Sequence, residues 1–205
     1  GADRKMPPEV IVRSLKAGRK SGNAELRFIM QSAPVLKGLK TSNMLFLTDA
    51  ELGLLIGELC ESGLHIFMLY STNERHLVLI YREAQLKQYI QTDEVRSFLD
   101  GYGYQGADLH RCLLILKERI QFFYGVRNIF PHEIGVFLGY PLCDVLGFIK
   151  HHGERCLCSG YWKVYDHMSS TRELFFAFDQ AREEAMQEWF AGKKMREIIC
   201  GNENI

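Results

Sequence analysis

Apolar positions recur along this chain with two periods, one near 3.6 and one of 2, and the switch between them predicts most of the elements. Thr48-Asp49-Ala50-Glu51 reads as a capping box opening a helix, with Leu52, Leu55, Ile56 and Leu59 on one face and Ser62-Gly63 as its stop. His65 to Tyr70 and His76 to Tyr81 are rich in aliphatic and aromatic residues and flank the polar loop STNER, which predicts a β-hairpin. The near-continuous apolar run HLVLIY predicts a strand covered on both faces and therefore central in its sheet. Glu83 to Ile90, Asp93 to Leu99 and Ala107 to Phe123 read as helices, the last carrying Leu109, Leu113, Leu116, Ile120 and Phe123 as a helical stripe.

Before these, ELRFIMQSAPVLKGLKTSNMLFLT is apolar from Glu25, with breaks at Ala33-Pro34 and Gly38 to Asn43. Those breaks predict short helical or extended pieces ending in a strand near Met44 to Leu47. Residues 1–22 read as a basic N-terminal arm or a short helix.

The densest pattern is Phe130 to Gly153, FPHEIGVFLGYPLCDVLGFIKHHG. Pro131 suits a helix start, Gly139 a left-handed stop, and Pro141 a second start, giving helix, tight turn, helix over 130–153. Gly135 falls where the two helices would cross, and Leu138, Leu142, Val145, Phe148 and Ile149 would face inward. The outward positions of the second helix are then Pro141, Cys143, Asp144 and Gly147. They supply no donors to base edges, so the corner resembles a DNA-binding motif in spacing but not in chemistry. Cys156 to Tyr165 alternates as a further strand of the sheet, carrying Trp162 and Val164 on one face. Ser169 or Ser170 would cap a long C-terminal helix reaching about Ile199, with Gly192 a weak point. Together these elements predict one α+β domain over residues 1–205, a mostly antiparallel sheet of about four or five strands covered by helices.

Composition narrows the function classes. Lys plus Arg and Asp plus Glu are each 25, so no net basic field recruits polyanions, which argues against nucleic acid as a partner. No apolar run is long enough to span a bilayer, which argues against a membrane partner. The six cysteines are scattered, which predicts a reducing, cytoplasmic setting. Gly38-Leu39-Lys40-Thr41 fails as a phosphate loop, because Ala33 stands where its first glycine belongs and Leu39 where its lysine does.

Chemistry-bearing residues gather in and after the corner. His132 and Glu133 are the acid/base candidates, although Val136 replaces the second histidine of a zinc-protease motif. His151, His152, Cys156 and Cys158 offer imidazole and thiolate ligands to a metal. Strand geometry would separate the two thiols by about 7 Å on one face. The competing reading makes them a sheet face beside a solvated helix end.

The segments SAPVLKGLKTSNMLF, HEIGVFLGYPLCDVLGFI and GYWKVY resemble an uncharacterised bacterial family classified only as a domain of unknown function, and the resemblance spans most of the chain. It implies no cofactor, activity or catalytic residue. The family's cysteines near the positions of Ser32, Tyr161 and Ala181 are absent here, which weakens a metal or redox scheme built on them. The sequence therefore favours a cytoplasmic accessory protein that binds a small ligand or a protein partner. Its pocket would lie between the 130–153 corner and the Trp162 strand, with Tyr140, Trp162 and Lys163 as contacts. A metal- or redox-linked enzyme using residues 151–158 and DNA binding through the corner are the alternatives. Ligand, cofactor and partner identity stay open.

Overall fold

The computed structural model describes residues 20–59, 62–126 and 130–199; of the basic segment 1–22 only Lys20 to Gly22 fall within them. In chain order the elements are α1 (Lys20–Leu36), β1 (Ser42–Leu47), α2 (Asp49–Leu59), β2 (Leu64–Ser71), β3 (His76–Arg82), α3 (Glu83–Ile90), α4 (Asp93–Asp100) and α5 (Leu109–Val126). After them come α6 (Ile134–Phe137), α7 (Leu142–Lys150), β4 (Cys158–Ser159), β5 (Lys163–Val164), α8 (Met168–Phe190) and α9 (Met195–Ile199). The chain is a single α+β domain.

β3 pairs antiparallel with both β1 and β2, so it is the central strand that its continuous apolar run demands. The two-residue period sends its side chains to two cores. Leu77, Leu79 and Tyr81 pack with α3, α4, α5 and α6, while Val78 and Ile80 pack with α1, α2 and α9. The capping box opens α2 as expected: the Thr48 N–H donates to Glu51 Oε2 at 2.9 Å and the Glu51 N–H to Thr48 Oγ1 at 3.3 Å. Within α2, Leu55 and Leu59 are buried, but Ile56 turns to solvent.

Three expectations are corrected. First, α1 runs unbroken through Pro34, which sits in its last turn, where losing one N–H donor interrupts little; the stop is Gly38, at φ 76°. Second, Cys156 to Tyr165 is not a strand of the main sheet. It folds into a separate two-stranded ladder in which Cys158 pairs with Val164 and Ser159 with Lys163. The chain reverses at Gly160, whose N–H donates to the Trp162 carbonyl at 3.0 Å. Third, α8 is entered through His167 in a left-handed conformation, with Ser169 and Ser170 inside its first turn. Ser170 Oγ donates to the His167 carbonyl at 3.0 Å instead of capping an N–H. Gly192, at φ 91°, ends α8 and allows α9 to turn back onto the second core.

Candidate functional site

The corner is built from small residues that let backbone approach side chains. A Cβ on Gly135 would lie 2.9 Å from Val145 Cγ2, so α6 and α7 cross at that glycine as their spacing requires. A Cβ on Gly147 would overlap Cβ and Cγ of Tyr165, so the far side of α7 seats the segment after β5. The turn between the helices closes through the Tyr140 N–H, which donates to the Gly135 carbonyl at 2.9 Å.

Between α6, α7 and β5 lies a cavity of about 240 Å³. Its walls are mainly apolar: Met44, Phe130, Ile134, Leu138, Val145 and Phe148, together with the rings of Tyr140 and Trp162. Tyr140 stacks on Trp162 with centroids 4.9 Å apart and planes inclined by 29°. His132 is held between Phe130 and Phe148, 5.6 and 5.5 Å from their ring centroids. Lys163 Nζ donates to the Gly153 carbonyl at 2.6 Å and lies 6.0 Å from the Phe148 ring centre. His132, Tyr140, Trp162 and Lys163 thus line one space. Grooves of about 570 and 390 Å³ along α8 are shallower and more open to solvent.

Asp144 corrects its assigned outward position. It is buried, and its carboxylate accepts three N–H groups: Trp162 Nε1 at 2.7 Å, the Tyr165 amide at 2.7 Å and the Asp166 amide at 3.2 Å. One side chain thereby ties α7 to both the indole and the backbone of the next element, a charge-assisted arrangement that orients Trp162. Gly147, also assigned outward, faces Tyr165.

Glu133 does not line the cavity beside His132. It is fully buried, and its Oε1 accepts hydrogen bonds from Arg119 Nε and from the Tyr104 hydroxyl, the latter at 3.2 Å. Burial, with the Glu133 charge second, pushes the Tyr104 phenol well above its ordinary value and keeps it a donor. The ion pair joins α5 to the start of α6, which is a structural task.

The four metal-ligand candidates fall between the end of α7 and β4. The His151 ring stacks on Tyr165 at 5.8 Å, His152 is exposed at φ 51°, and Cys156 and Cys158 are half-buried free thiols. Among the described residues, no three His, Cys, Asp or Glu side chains stand where they could hold one ion.

Lys40 is a residue whose importance its motif hid. Its buried ammonium donates to the Ser42 carbonyl and sits 5.4 Å from the centre of the Tyr140 ring. Burial pulls its pKa down from 10.5 to about 7. The Tyr89 hydroxyl donates to the Tyr140 carbonyl at 2.5 Å, and burial pushes the Tyr89 phenol up to about 12. Met44 and Lys40 reach the site from a distant part of the chain, and local periodicity carries no signal for such convergence.

Residues 28–199 match a family described as a protein of unknown function (DUF3793). The chain belongs to that family. The DUF3793 match takes in β1, the corner, the β4–β5 ladder and all the cavity residues named above. No curated protein and no solved structure matches the chain.

Proposed function

We propose that this DUF3793 protein is a cytoplasmic accessory protein that binds a compact, planar, largely apolar small molecule in the cavity between α6, α7 and β5. The observation that carries the reading is the shared cavity itself: apolar walls, a stacked Tyr140–Trp162 pair on which a flat ring can lie, and few polar groups at the margin. Its volume is small beside the ~300–1,000 Å³ of typical ligand sites, which favours one or two fused rings over an extended cofactor. The four described cysteines are free thiols, which fits a reducing compartment.

The chain has only two tryptophans, so Trp189→Phe leaves Trp162 as the sole indole reporter. Titrating that variant with the neutral rings benzyl alcohol, phenol and phenylacetamide should give a saturable change in Trp162 emission. Met44→Phe, which enlarges a lining side chain, should abolish it. A folded Trp189→Phe protein that shows no saturable response to any ring overturns the reading.

A further inference from the structure

The cavity is chemically lopsided. At one margin, His132 and Lys163 both border Phe148, so the two basic side chains lie at the same end of the space. Neither forms an ion pair with a described residue. Lys163 uses one donor on the Gly153 carbonyl, and neither ring nitrogen of His132 is hydrogen-bonded within the described set. Asp144, the carboxylate bordering the same cavity, is already answered by three N–H groups and is almost wholly buried. Cationic and donor capacity is therefore unspent at the His132–Lys163 end, while the acidic capacity on the Trp162 side is spent.

Resting on the small-ligand reading above, we propose that the physiological ligand is an aromatic acid: a flat ring against Tyr140 and Trp162, with one carboxylate between His132 and Lys163. An ammonium has three donors, of which Lys163 commits one, and an imidazole supplies at least one N–H in either tautomer. Apolar walls beside the charges raise the worth of a charge-assisted hydrogen bond above its value in open solvent. A ligand bearing a cation at that end would meet Lys163 unscreened.

Three isosteric probes separate the parts of this idea: phenylacetate, phenylacetamide and phenethylamine, titrated into the Trp189→Phe protein at low salt. Phenylacetate should bind about tenfold more tightly than the amide, equivalent to ~1.4 kcal/mol, and phenethylamine most weakly. Lys163→Gln should erase the advantage of the acid, so that the variant binds phenylacetate and phenylacetamide alike; His132→Gln should reduce the advantage in part. Equal binding of acid and amide, or tighter binding of the amine, overturns the aromatic-acid proposal and leaves the small-ligand reading standing. No response to any of the three, nor to benzyl alcohol or phenol, overturns both.

Discussion

In the main sheet, every side chain of β3 from Leu77 to Tyr81 is buried in an apolar core, whereas the corner over 130–166 buries Glu133 and Asp144 among its rings. The sheet is held by non-directional burial, which tolerates substitution of similar volume. The corner is held by directional contacts that fix positions: Arg119 and Tyr104 on Glu133, three N–H groups on Asp144, and Ser42 Oγ donating to the Phe137 carbonyl. Among the described residues, left-handed backbone outside glycine occurs at His152 and Arg155 within the corner and at His167 directly after it. Such strain persists where surrounding contacts over-determine the conformation. The difference teaches where the geometry of a site is kept: a closed apolar core supplies stability, and the polar-fastened corner leaves a shaped space beside it.

The strongest way to break this contrast is to remove one fastening and one core side chain and compare the consequences. Glu133→Ala leaves the buried Tyr104 hydroxyl without its acceptor and unpairs the partly exposed Arg119 guanidinium, and should cost about 1–3 kcal/mol. Leu79→Ala, at a fully buried position, should cost about 2–5 kcal/mol through its cavity. Denaturant unfolding measures both. The contrast lies in ligand response: at temperatures where both variants are folded, Leu79→Ala should keep the Trp162 emission change on adding ring probes, and Glu133→Ala should lose it. Equal retention would show that the fastenings do not position the site.

Next in size is Gly147→Ala. The added methyl meets Tyr165 at Cβ and Cγ, close to the backbone, so the clash cannot be relieved by swinging a flexible tip. The cost should be about 3 kcal/mol, at the upper end for overpacking, with the Asp144 bonds to Tyr165 and Asp166 weakened together. Thermal unfolding reads the loss, and an unchanged melting temperature would mean that α7 and the following segment are not in close register.

The same contrast between sheet and corner marks what the sequence made legible. The central place of β3 was readable because burial on both faces leaves a continuous apolar run, and the α2 capping box because both partners lie within four residues. The Gly135 crossing followed from spacing to Val145, ten residues away. Asp144 was misplaced because its partners lie 18 to 22 residues later, beyond the reach of a helical wheel drawn on nine residues. The strand assigned to Cys156 to Tyr165 was misread because alternation survives in a tight ladder; the crowding of Gly160 against the Phe175 ring, from another element, leaves no local trace. Tyr140, Trp162, Lys163 and His132 could be gathered as a set from their chemistry, but Met44 and Lys40 could not.

A smaller effect, but one that links the two regions, comes from Lys40, which leads into β1 and faces Tyr140 of the corner. Its folded pKa of about 7 lies below the ordinary 10.5, so from pH 7 upward the unfolded chain holds a proton that the folded chain has released. Stability should therefore rise with pH across this window, by no more than ~1.4 kcal/mol per unit for one proton, and be independent of Lys40 below pH 7. Above pH 9 the buried Cys112, the half-buried Cys143 and Tyr89, whose pKa values desolvation raises, act in the opposite direction, so pH 7 to 9 is the range to measure. Lys40→Met should flatten the slope there and stabilise the protein at pH 6. An unchanged slope would show that the lysine stays charged in the fold.

The smallest effects should come from the residues that look most chemical in the sequence. Cys156→Ser and Cys158→Ser alter half-buried thiols that are not disulfide-bonded, and His152→Gln alters an exposed ring, so each should shift stability by less than ~0.5 kcal/mol. His151→Gln should cost slightly more, because the His151 ring stacks on Tyr165 and helps seat the segment that Asp144 holds. If the four residues instead bound a metal together, all four substitutions would destabilise alike, and a chelator would lower the melting temperature of the parent protein but of none of the variants. The graded pattern, with His151 alone measurable, is the outcome expected if these side chains are neighbours in sequence without sharing an ion.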